Sequence, residues 1–289
     1  MSAEDPNWPR ASHWLAQRTT PSQLDVVSVP LNSSITPGRC DLAPAAIRHA
    51  LERYSLYDPD SDVDLAGLTV WDRGDVAPTA EAIRDTCGDV ATVLLGGDNG
   101  ITLPGVQAMG LPLARCGVLT FDAHHDLRDL DRGLTNGTPI RALLRDGLPG
   151  ANVVQVGIQP FTNSAAYAHV AREAGVRVVT ADQVRERGIE LVVRDALDSL
   201  ANHVDAIYVD LDVDVLDRAF SPACPGSRPG GLEPWMLRRA ARLCGAHPKI
   251  RILDIVEVDP TKDIADATCL AAASFLLAFA AGVASRARP

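Results

Sequence analysis

Eight short apolar runs rich in β-branched residues punctuate the chain, at 24–30, 68–74, 91–97, 116–122, 152–158, 176–180, 205–212 and 250–258. Between them lie stretches with helical spacing of apolar positions, at 43–54, 79–87, 101–109, 138–146, 162–174, 188–201, 233–244 and 264–282. Several strand candidates, such as ATVLLGG and NVVQVGI, are apolar throughout and do not alternate. A strand reads that way when both of its faces are covered, which is the situation in a parallel sheet. Strand and helix alternate with short connections, so the pattern predicts an α/β chain: a three-layer α/β/α arrangement around a mainly parallel sheet, in a single domain. Residues 1–22 show no clear period and are expected to form an N-terminal arm, leaving 23–289 as the domain.

Composition narrows the classes. With 289 residues, 46% hydrophobic but only 4% aromatic, the core has to be built from Ala, Val, Leu and Ile. A net charge of −10 without any basic cluster argues against nucleic-acid binding. Six scattered cysteines form no C-x-x-C pair, as expected of reduced thiols in the cytoplasm. The N-terminal stretch MSAEDPNWPRASHW has no apolar signal region. The apolar segment CLAAASFLLAFAAGVAS (269–285) is short for a bilayer and reads as a buried helix, so no membrane partner is expected.

Candidate chemistry sits where ligands bind in such sheets, beyond the carboxyl ends of the strands. Four strand ends carry unusual residues: GGDNG, FDAHHDLRD, DLDVD and EVDP. In an extended segment Asp122, His124 and Asp126 share one face, as do Asp210, Asp212 and Asp214. Ionised carboxylates crowded together repel one another by several kcal/mol at reduced dielectric, and no lysine or arginine interrupts either cluster. A divalent metal ion resolves the conflict, and carboxylate in excess over imidazole leans toward Mn²⁺. Two ions sharing a carboxylate would lower the pKa of a water between them. The competing reading makes these acids helix caps and surface partners of Arg128, Arg132 or Arg218. It explains one such cluster better than two. His125 would point away from His124, toward packing or a supporting hydrogen bond.

The ordered motifs GGD-x-x-x-T, FDAH-x-D, D-x-D-x-LD followed by AFSP, and E-x-x-P resemble the ureohydrolase family of arginase and agmatinase, from about residue 24 onward. That resemblance implies the arginase fold, Mn²⁺ as cofactor (one or two ions per subunit), and a trimeric or hexameric homo-oligomer. It implies Asp122 and Asp212 as shared metal ligands, Asp126 on the first ion, and His124 and Asp214 on the second. Glu257 matches the glutamate that binds the substrate's amidine-type cation.

Two positions depart from the family pattern. Asn99 stands where a histidine usually ligates the first ion, so either a weaker, neutral amide becomes the candidate ligand or Asn99 is a structural residue of a Gly-flanked turn. Asn136 replaces a histidine given a proton-relay role in agmatinase-like chains, and is a candidate substrate-binding residue. The stretch FDAHHDLRDLDRGLTNGTPIRALL, with DVDVLDRAFSPACPGSRPGGL, instead looks like the formimidoylglutamase branch. The reaction expected is hydrolysis of a linear amidine, N-formimidoyl-L-glutamate, to L-glutamate and formamide, with Asp126 and Glu257 as catalytic residues. Arg128, Arg141 and Arg228 are candidates for the two substrate carboxylates, since guanidinium pairs with carboxylate bidentately. The alternatives are a guanidino-acid or agmatine hydrolase releasing urea, and a metal-poor relative with a binding role, which Asn99 would favour.

Overall fold

The computed structural model describes residue 5 and residues 7–286. Its centre is one sheet of eight strands, every adjacent pair parallel. In chain order these are β1 (Leu24–Val29), β4 (Val70–Asp75), β5 (Ala91–Gly96), β6 (Cys116–Phe121), β7 (Val153–Ile158), β8 (Arg177–Thr180), β9 (Ala206–Asp212) and β10 (Ile250–Val256). The remaining two, β2 (Tyr57–Asp58) and β3 (Val63–Asp64), form a separate antiparallel hairpin. Across the sheet the order is β4-β1-β5-β10-β9-β6-β7-β8. Strands β1, β5, β6, β7 and β9 are buried at every position, which is why their sequences do not alternate.

Among the described residues ten α-helices cover the sheet: α1 (Ala11–Leu15), α2 (Ala43–Ala50), α3 (Ala80–Thr86), α4 (Thr102–Ala108), α5 (Pro139–Arg145), α6 (Ala165–Ala174), α7 (Ala181–Arg187), α8 (Ile189–Ala201), α9 (Pro234–Ala246) and α10 (Ala267–Ala284). Helices α1, α2 and α7 to α10 share one apolar cluster with one face of the sheet, and α3 to α6 share a second with the other face. The molecule is therefore a three-layer α/β/α single domain, as the pattern predicts.

Helix α10 is long and apolar enough to cross a membrane by length and composition, yet 72% of its apolar window is buried inside the protein. It is a core helix. Of the segment expected as an N-terminal arm, residues 1–4 and 6 lie outside the described residues. Its remainder carries α1, whose Trp14 is 1% exposed and donates its indole N–H to the Leu68 carbonyl at 2.9 Å.

Candidate metal centre

The four central neighbours β5, β10, β9 and β6 each deliver acidic or amide side chains at their carboxyl ends. Asp98 and Asn99 follow β5, Asp122 to Asp126 follow β6, Asp212 closes β9 with Asp214 in the turn beyond it, and Glu257 follows β10. The connection from β5 to β6 jumps over β10 and β9, which opens a crevice at this edge, the place where ligands settle in open α/β sheets.

Three ligand atoms, from Asp122, His124 and Asp214, lie within 4.8 Å of one another. His124 Nδ1 stands 2.7 Å from Asp214 Oδ2 and 3.5 Å from Asp122 Oδ1. Two backbone N–H groups hold the acids in place: Ala123 donates to Asp214 Oδ1 at 3.0 Å and Asp214 donates to Asp212 Oδ1 at 2.7 Å. Asp126 does not continue an extended run as the alternation implied. The chain turns there, with φ +52°, and its carboxylate accepts a hydrogen bond from Asn99 Nδ2. Asp122, Asp126, Asp212, Asp214 and Glu257 are all nearly fully buried.

The electrostatics are those of acids lacking a counter-charge. Burial, then the charge of Asp214, pushes Asp122 up to about 7. Burial and neighbouring carboxylates raise Asp126 and Asp212 well above the ordinary value. His124, held by the Asp214 charge against the cost of its own burial, is pushed up to about 12. Burial opposes ionisation of Asp214, yet the His124 charge and hydrogen bonds carry it below the usual carboxylate range. The His124 imidazolium is thus the cationic partner of Asp214 and Asp122 within the cluster. Among the described residues no lysine or arginine pairs with these acids. Asp122, His124 and Asp214 converge, the buried Asp126 and Asp212 lie outside that trio but within reach of its charge, and this carboxylate-rich set with one imidazole fits a divalent ion of the Mn²⁺ type.

Glu257 lies against this cluster with a left-handed backbone, φ +65°. Its Oε1 accepts from the Asn99 backbone N–H at 2.9 Å and from Asn136 Nδ2 at 3.0 Å, while no hydrogen bond reaches Oε2 among the described residues. Burial pushes its carboxyl up to about 8. Asn136 is held in turn by the Ile35 N–H at 3.0 Å.

The arginines sit further out. Arg141 lies 3.6 Å from Asp129, and the exposed Arg128 packs its side chain over Gly137, where an added Cβ would come within 2.7 Å of Arg128 Cδ. Arg228 turns back to the carbonyls of Pro225, Gly226 and Ser227. His125 is buried with Nδ1 2.7 Å from Gln155 Oε1. Asp254 of β10 went unremarked in the sequence. It accepts from Tyr208 OH at 2.6 Å, from the Leu211 N–H at 3.0 Å and lies 3.1 Å from Thr102 Oγ1, directly behind Asn99. A lone aspartate inside the apolar run IRILDIVEV was the available signal. Beside it Asp210, paired with Asp254 in register, has neither oxygen hydrogen-bonded among the described residues.

Comparison with known proteins gives the family and the fold. A sequence model of the arginase family matches residues 22–282. The chain is 38% identical to the formimidoylglutamase of Halalkalibacterium halodurans over 274 residues, covering 89% of this chain and 86% of that protein. The crystal structure of formimidoylglutamase from Bacillus subtilis superposes with a TM-score of 0.91 at 32% identity, covering 99% of this chain and 95% of that one. Formiminoglutamase from Trypanosoma cruzi, solved with Mn²⁺, shares the fold at a TM-score of 0.88 and 24% identity, covering 97% of this chain and 100% of that one.

Proposed function

This chain belongs to the arginase family, and from that premise we propose that it hydrolyses N-formimidoyl-L-glutamate to L-glutamate and formamide in a Mn²⁺-dependent reaction. The observation that carries the reading is Glu257: a buried carboxylate with one oxygen fixed by Asn99 and Asn136 and the other left to face a cation, beside the acid cluster. The chain's similarity to formimidoylglutamases along most of its length supports the substrate.

In this reading Asp122, Asp126, Asp212, Asp214, His124 and Asn99 hold the metal. Mn²⁺, when bound, supplies Lewis acidity and a water acidic enough to act at neutral pH. Glu257 receives the cationic formimino group and sets the amidine carbon toward the acid cluster. Asn136 keeps Glu257 in that pose through its 3.0 Å hydrogen bond and borders the substrate. Asp126, buried and held by Asn99, returns a proton to the departing amine. Arg128 and Arg141 are the residues proposed to meet the substrate carboxylates, with Arg228 as a further candidate. The six cysteines are unpaired, which suits a cytoplasmic enzyme. The family resemblance supports a trimeric or hexameric assembly as part of this reading.

The test is a substrate panel. Purified protein loaded with Mn²⁺ is given formimidoylglutamate, agmatine, arginine and guanidinobutyrate, and formamide and urea are assayed separately. Formamide release from formimidoylglutamate alone is expected. Urea from a guanidine compound, with formimidoylglutamate untouched, overturns the substrate in favour of a guanidino hydrolase.

A further inference from the structure

An asparagine that replaces a histidine brings a problem the histidine does not have, because its two ends are chemically opposite. Only Oδ1 can ligate a cation, while Nδ2 carries two donor hydrogens. In this structure Asn99 has turned the wrong end inward: Nδ2 donates to Asp126, and Oδ1 faces away, accepting from Thr102 Oγ1 at 2.7 Å. Thr102 is fully buried as the first residue of α4. Its hydroxyl has a second acceptor in reach, Asp254 Oδ2 at 3.1 Å, yet it owns one proton and can serve one acceptor at a time. Asp254 is itself fixed by Tyr208 OH and the Leu211 N–H. Tyr208 reaches it because α4 carries Gly105, where an added Cβ would lie 2.3 Å from the phenol oxygen.

We propose that Thr102 is a positioning residue for the metal centre, whose hydroxyl lets the Asn99 amide turn over when an ion binds. After that turn Oδ1 looks toward Asp126, and two acceptors confront each other unless a cation lies between them. Nδ2 then faces Thr102 Oγ1 and needs an acceptor. Thr102 becomes that acceptor by swinging its own proton to Asp254 Oδ2, so the contact between Asn99 and Thr102 sets a donor against an acceptor in either arrangement. The pair Thr102 and Asp254 is what makes an asparagine workable here. The inference rests on the reading of Asn99 as a metal ligand and on nothing about the substrate.

Mn²⁺ binding to the EDTA-stripped protein, followed by calorimetry and by loss of the free-ion electron paramagnetic resonance signal, tests it without turnover. The variants are Thr102→Val, which keeps the shape and removes the hydroxyl, Thr102→Ala in case valine misfolds, and Thr102→Ser, which keeps the hydroxyl. In the valine or alanine variant one of two ions should bind roughly 10- to 100-fold more weakly, as for other supporting partners of metal ligands, with the other ion unchanged. The serine variant should restore binding to within about threefold of the parent, a readout that loss of packing alone would not give. Unchanged affinity for both ions in the valine and alanine variants, or equal weakening of both, overturns the proposal. A parent protein that binds a single ion overturns the Asn99 ligand reading and this inference with it. Failure of the formimidoylglutamate assay touches neither.

Discussion

The carboxyl-end rim of the sheet and the α9–α10 contact are buried about equally and built on opposite principles. At the rim, five acidic side chains are held nearly out of water, and Asp126 and Glu257 adopt left-handed backbone with φ +52° and +65°. Each such residue stores on the order of 1 kcal/mol, and unpaired buried charge costs more. Between α9 and α10 no polar side chain is needed at the closest approach. Gly245 and Gly282 let the helices touch backbone to backbone, so that a Cβ at Gly245 would lie 2.1 Å from the Phe279 carbonyl oxygen. One region spends stability to hold a ligand set; the other supplies it. The contrast explains why the acids can be left in mutual repulsion: the three-layer core tolerates it and a bound cation relieves it.

Asp122→Asn should break this contrast most visibly. If Asp122 is the shared metal ligand proposed, its removal is expected to lower kcat/KM for formimidoylglutamate by about 10³-fold or more. The same change should make the metal-free protein more stable, by on the order of 1–2 kcal/mol at pH 8 in denaturant titration, because it deletes a buried charge that repels Asp214 and that His124, already engaged with Asp214 at 2.7 Å, offsets only in part. The pH dependence follows the same logic. Asp122 is raised to about 7 and Glu257 to about 8, so their favourable contribution is complete below about pH 4 and lost as pH climbs through those values. His124, raised to about 12, acts in the same direction above about pH 6.5. The melting temperature of the stripped parent should therefore fall from about pH 5 to pH 8. Over the same interval the gain on adding Mn²⁺ should grow to about 5–10 °C. A stripped Asp122→Asn protein less stable than the parent at pH 8 would show that the rim does not carry the strain assigned to it.

Gly245→Val probes the other side and should act in the opposite sense. The new side chain meets backbone, not the end of a flexible side chain, so the helices must separate, at a cost of about 2–3 kcal/mol in denaturant titration. The protein that remains folded should bind as many Mn²⁺ ions as the parent. A change in ion count would mean that the helix contact and the rim are coupled.

These two regions were not equally legible in the sequence. All eight sheet strands were visible as short β-branched runs, and β5 and β7 as apolar throughout, because burial on both faces leaves little room for polar positions, whereas the edge strands β4 and β8 are only partly buried. The convergence of acids was visible too, since carboxylates rarely cluster after buried strands without a cation. The segment 181–187 passed as a connection although Thr180 and Gln183 form a capping box. Helix α1 is five residues long and gives no period, so burial of Trp14 depends on contacts with residues far away in the chain. Which end of Asn99 faces Asp126 was beyond reach for the same reason. Its Oδ1 meets Thr102, which also reaches an aspartate 152 residues further on.

The arginines give the smallest and most discriminating effect, because they lie outside both regions. Arg141 is paired at 3.6 Å with an Asp129 that is largely exposed, a geometry worth well under about 1 kcal/mol. Arg128 covers Gly137, next to the Asn136 that holds Glu257. If these guanidinium groups meet the substrate carboxylates, Arg128→Ala and Arg141→Ala should each raise KM for formimidoylglutamate by about tenfold or more and leave kcat nearly unchanged, since the interaction is the same in ground and transition states. Stability should move by less than about 0.5 kcal/mol, as at any solvated ion pair. A KM unaffected by both changes would remove the two residues from the binding site and leave Arg228, whose guanidinium now rests on the carbonyls of its own loop, as the group that has to swing inward.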